Sequence, residues 1–180
     1  EVLENKQDYK NTIEICSFFP SPKYSVLITK HGKFEIDQTP VSERTRGLIK
    51  FINTNLLVCV NEQHIFGFYN PELPNEEQRS SGFGIGCFTT INENIERKRL
   101  SDIYRKKDKR KNSMILFKEE ADIELGVMSV ENHVLTFDKK KGPLRSAYEN
   151  GGNVVFMNEL GCASAIEMMK EAVSIIENKI

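Results

Sequence analysis

The chain has 180 residues, of which 39% are hydrophobic and 28% charged, and its formal net charge is −1. That length suits one domain with a sizeable core, and the composition argues against wholesale disorder. No apolar run approaches the ~20 residues that cross a bilayer, so no membrane span is expected.

The first residues, Glu1-Val2-Leu3-Glu4-Asn5-Lys6, carry neither an initiator Met nor a signal-peptide pattern, and a piece of a longer chain is expected. Residues 1–17 read as a short helix or the tail of a coiled coil, from Val2, Tyr9 and Cys16 at seven-residue steps. Pro20 and Pro22 then break the chain, and residues 18–180 are expected to form a single domain.

Three strand–turn–strand units follow. Tyr24–Ile28 and Phe34–Asp37 flank His31-Gly32, while Leu56–Val60 and Ile65–Tyr69 flank Asn61-Glu62-Gln63. Gly126–Val130 and Val134–Phe137 flank Glu131-Asn132-His133. Between the first two units, Thr39-Pro40 opens a helix running to Ile52. Gly84–Ile91 and Met114–Phe117 read as further strands, the latter apolar at every position and so covered on both faces. The chain closes with a helix, Ser164–Ile180. Ser164 and Glu167 form a capping box, and Ile166, Met169, Val173, Ile176 and Ile180 form one apolar stripe. The expected fold class is α+β: an antiparallel β-sandwich with peripheral helices and a C-terminal helix.

Charge is unevenly distributed. Residues 97–111 hold nine basic and two acidic residues, a net of +7, which leaves −8 for everything else. Arg97, Lys98, Arg99, Arg105, Lys106, Lys107, Lys109, Arg110 and Lys111 are therefore the candidate contacts for nucleic acid or another polyanion. Lying between two expected strands, the segment reads as an insertion looped out from the domain. No helix-turn-helix, finger or RNA-recognition signature accompanies it, so contact would be to phosphates.

Signals for chemistry are sparse. Ser81–Gly86 is glycine-rich, but the strand expected after it offers no helix N-terminus to a phosphate. The acidic cluster Glu119–Glu124 lacks calcium-loop spacing and reads as a solvated loop, or as a partner for the basic segment. No cofactor, metal site or catalytic residue is expected. The four cysteines Cys16, Cys59, Cys87 and Cys162 have no zinc spacing, and they point to a reducing, cytoplasmic or nuclear compartment. Cys162, just before the helix cap at Ser164, is the candidate redox-reactive thiol, because a helix N-terminus favours thiolate.

From Tyr24 to about Phe137 the order of features resembles the TLDc family, which includes oxidation-resistance proteins. The resemblance is carried by Asn55-Leu56-Leu57-Val58-Cys59-Val60 and Ile65-Phe66-Gly67-Phe68-Tyr69, with Tyr24–Ile28 and Val41–Ile52 before them. Leu125-Gly126 stands where the family has a second Phe-Gly, and the family's closing strand is not evident. The resemblance implies a β-sandwich in which Phe66, Gly67 and Tyr69 are fold determinants. It also implies a non-enzymatic interaction domain linked to the oxidative-stress response, with a protein partner. A DNA-binding regulator using residues 97–111 is the alternative, and a homo-oligomer through the N- or C-terminal helix fits either.

Overall fold

The computed structural model describes residues 26–32, 60–68, 71, 74–105, 116–138 and 141–178. Strand β1 (Val26–Thr29) runs parallel to β2 (Val60–Phe66), in register from Val26↔Val60 to Thr29↔Gln63. Two short strands, β3 (Ser80–Ser81) and β4 (Gly86–Cys87), pair with the end of β2, again in parallel. Helices α1 (Ile91–Tyr104) and α2 (Glu120–Met128) follow. The last part is a parallel unit: β5 (Val134–Thr136), α3 (Pro143–Glu149) and β6 (Val154–Phe156). Helix α4 (Ala165–Asn178) ends it.

The expected antiparallel sandwich is therefore wrong: every strand pair described is parallel. The error has local causes. Asn61-Glu62-Gln63, read as a turn, lies inside β2, where β1 supplies its ladder partners. His31 and Gly32, also read as a turn, are helical, and Thr29 Oγ1 accepts from the Gly32 N–H at 3.0 Å. Gly126–Met128, read as strand, is the last turn of α2. Of Gly84–Ile91 only Gly86–Cys87 is strand, and Leu116 and Phe117 belong to no strand longer than a bridge. Residues 1–17, the strand at 34–37, the helix at 39–52 and most of the apolar run at 55–60 lie outside the described residues.

Helix α1 starts at a capping box. Thr90 Oγ1 accepts from the Glu93 N–H at 3.1 Å, and Glu93 Oε2 accepts from the Thr90 N–H at 2.7 Å. The helix runs through Arg97–Tyr104, so this part of the basic segment is not looped out. Leu100 on its inner face is fully buried against Ile123, Val127 and Ala147. Gly126 lets the helices approach: a Cβ there would meet Leu100 Cδ1 at 2.8 Å.

Strand β6 is covered on both faces. Val154 and Phe156 pack with Val134 and Leu144 on one side, while Val155 faces Met169 and Ala172 of α4 on the other. Helix on each face of a parallel pair explains why Val154-Val155-Phe156 is apolar without alternation. The C-terminal helix forms as its sequence predicts. Glu167 N–H donates to Ser164 Oγ at 3.3 Å, and the Glu167 carboxylate accepts from the Ala163 N–H at 3.0 Å. Met169 and Ile176 are buried and Val173 packs beside them, but Ile166 at the head of the stripe is exposed.

Truncating Leu100→Ala leaves a cavity among three helices and is expected to cost about 2–5 kcal/mol. Urea unfolding at neutral pH checks this. A loss under about 1 kcal/mol would mean that the helices do not depend on this contact.

Candidate functional site

Four phenylalanines meet at the end of β2. Phe66 is half-buried, and three exposed rings contact it: Phe88 at 4.6 Å, Phe83 at 4.8 Å and Phe68 at 6.0 Å between centroids. Phe68, Phe83 and Phe88 are 83%, 84% and 75% exposed. Ile85, Ile91 and Ile95 are also exposed nearby in the chain. A groove of about 240 Å³ runs between Phe66, Phe68 and Phe83, with Gln78, Ser80 and Gly82 on its wall. Aromatic faces of this size, left in water, are costly on a surface and mark an interaction site more often than chance scatter.

The strands beside the rings are held tightly. The Gly67 N–H donates to Ser81 O at 3.2 Å. Gly86 has no room for a side chain, since a Cβ would stand 2.6 Å from Phe66 Cα. Ser80 Oγ donates to Phe68 O at 3.3 Å, and Lys30 Nζ donates to Ser80 O at 3.4 Å. His64 Nδ1 lies 2.7 Å from Ser81 Oγ.

Behind the groove, an ionic cluster joins the sheet to α2. Arg79 donates to both oxygens of Glu120, at 3.0 and 3.3 Å. The Phe117 N–H donates to Glu120 Oε2 at 2.8 Å, and buried His31 places Nε2 3.6 Å from Oε1. Burial by itself would raise the Glu120 pKa. His31, Arg79 and the Phe117 N–H overcome that and hold it at about 2.

The basic segment is partly spent inside the fold. Arg97 pairs with buried Glu124 through Nη2 at 2.7 Å and Nε at 3.3 Å. Arg99 pairs with buried Glu96 at 2.6 and 2.8 Å, and also reaches Ser146 Oγ and O at 2.9 and 3.1 Å. Asn150 completes the Glu96 shell at 2.9 Å. Lys98 is exposed, and Arg105 sits over the Phe117 ring at 5.5 Å. Lys106, Lys107, Lys109, Arg110 and Lys111 lie outside the described residues. The acidic cluster at 119–124 is thus not a solvated loop, since two of its carboxylates anchor α2 to Arg79 and Arg97.

Cys162 is half-buried and its Sγ donates to Leu160 O at 3.4 Å; Cys59 is outside the described residues. Among the described residues no three His, Cys, Asp or Glu side chains converge as a metal site, and no helix is long and apolar enough to cross a membrane.

No family model, curated protein or solved structure matches the chain. The TLDc resemblance made Phe66 a fold determinant and did not group it with Phe68, Phe83 and Phe88. The available signal was the spacing of large apolar residues with glycines in Phe66-Gly67-Phe68 and Phe83-Gly84-Ile85-Gly86-Cys87-Phe88.

Glu120 sets an acid limb. Its pKa is about 2 in the fold against an ordinary 4.5. A depressed carboxylate stabilises fully above the unfolded value and loses that contribution as pH falls towards the folded one. Between about pH 4.5 and 2 the protein should therefore lose stability through this group. Glu120→Gln should cost roughly 1–3 kcal/mol at neutral pH and flatten that part of the stability–pH curve. Urea midpoints from pH 7 down to 2.5 check this, and parallel acid limbs in the two proteins would contradict the assignment.

Proposed function

We propose that the chain is a protein-interaction domain whose docking surface is the groove of Phe66, Phe68 and Phe83, extended by Phe88. The observation that carries the reading is the convergence of three exposed rings on the single half-buried Phe66. Interfaces concentrate binding energy in such aromatic anchors, and a contiguous patch lets a partner exclude water around them.

Charge selects the partner. The stretch 62–96, which supplies every groove residue, contains Glu62, Glu72, Glu76, Glu77, Glu93 and Glu96 against the single cation Arg79, a net of −5 in sequence that Arg99 at Glu96 and Lys30 at Ser80 O partly offset. That field repels a phosphate backbone and favours an apolar segment flanked by lysine or arginine. The internal pairing of Arg97 and Arg99 also removes two of nine cations from the phosphate-contact alternative. A protein partner is what the TLDc resemblance implied as well. The docking reading needs neither the sandwich nor the stress-response role.

The test is a titration with fluorescent peptides holding two leucines or phenylalanines, flanked by lysines in one set and glutamates in the other. The lysine set is expected to bind at least tenfold more tightly. Phe83→Ser, an exposed change with little expected effect on folding, should weaken binding tenfold or more. Absence of binding by both sets, or equal binding by both, would remove the reading.

A further inference from the structure

We propose that Ser81 is an activated nucleophile with His64 as its base, and that the pair takes acyl groups from esters with a short apolar chain. The two residues are 17 apart in sequence and their polar atoms are 2.7 Å apart. That lies within the distance at which a base can take a hydroxyl proton. Sheet geometry puts the pair beside the rings. His64 and Phe66 project from the same face of β2 by alternation, and the parallel register Phe66↔Ser81 puts Ser81 on that face too. The nucleophile, its base and the ring on which Phe68, Phe83 and Phe88 converge thus share one face. The two glycines that follow Ser81 border open space, since a Cβ on Gly82 or on Gly84 would meet nothing within 4 Å.

The pairing requires the His64 tautomer with hydrogen on Nε2, leaving Nδ1 as acceptor. Ser81 Oγ bonds to the ester carbonyl carbon while its proton passes to Nδ1. The carbon–oxygen bond to the leaving alcohol breaks, and Nδ1 returns the proton to the departing oxygen. Water then attacks the Ser81 ester by the same route, releasing the carboxylic acid and restoring Ser81. No oxidant, reductant or metal enters the balance. The proposal does not rest on docking, since peptide binding needs the rings and acyl transfer needs the pair.

The experiment treats the whole chain with p-nitrophenyl butyrate, follows nitrophenol release, and locates the adduct by peptide mass spectrometry. A butyryl group on Ser81 is expected, formed faster than the acetyl group from the acetate ester. His64→Asn keeps a hydrogen-bonding atom near the Nδ1 position but cannot take the proton. It should slow acylation about 10²-fold or more with circular dichroism unchanged. Ser81→Ala should abolish the adduct, and Ser81→Cys should move it to the thiol, which keeps the test valid if the alanine variant folds poorly. Acylation of Ser81 at the same rate in His64→Asn, or adducts only on lysines in the native chain, would overturn the proposal. Equal butyryl and acetyl rates would overturn the assignment of the acyl chain to the phenylalanines.

Discussion

Glu120 accepts from Arg79 at 3.0 and 3.3 Å, from the Phe117 N–H at 2.8 Å, and has His31 Nε2 at 3.6 Å. Those three neighbours come from the approach to β3, from the entry to α2 and from the helical residues that follow β1. One carboxylate therefore ties the first sheet to the helices. The tie is a two-pronged, partly buried guanidinium contact, the geometry in which an ion pair holds position rather than merely adding charge. Arg79 immediately precedes Ser80 and Ser81, so the groove wall and the Ser81–His64 pair both inherit their placement from it.

Elsewhere burial supplies the rigidity. Helices α1, α2 and α3 close around Leu100, Ile123, Val127 and Ala147, and β6 is packed on both faces. Two further buried carboxylates, Glu96 and Glu124, are each met by an arginine of the basic segment. An unpaired carboxylate at either place would carry a large desolvation cost. Arg97 and Arg99 therefore serve the fold, and the charge asymmetry of the sequence is smaller on the molecule than on paper.

The parts of this fold that local chemistry dictates were legible. The Ser164–Glu167 cap and the Met169–Ile176 stripe predicted α4, and the apolar runs near Val26 and Val134 predicted β1 and β5. The parts set by distant pairing were not. Asn61-Glu62-Gln63 carries turn chemistry, yet β1 recruits it into a parallel ladder. Helix α2 has no side-chain cap at Glu119, whose φ is +67°, so nothing marked its start. The pattern Thr90–Glu93 did mark the start of α1, but the apolar run before it was read as a strand extending through Ile91. The site was hardest to see because its members lie far apart in the chain: Arg79 is 41 residues from Glu120, and His31 is farther still.

The Arg79–Glu120 pair holds the groove strand in place. Native-state hydrogen exchange at the Gly67 amide, bonded to Ser81 O, tests it most directly. In Glu120→Gln this amide should exchange at least tenfold faster than in the native chain. Amides inside α3, such as Ala147, should keep their protection. Unchanged exchange at Gly67, or an equal rise at both places, would mean that the pair does not hold this strand.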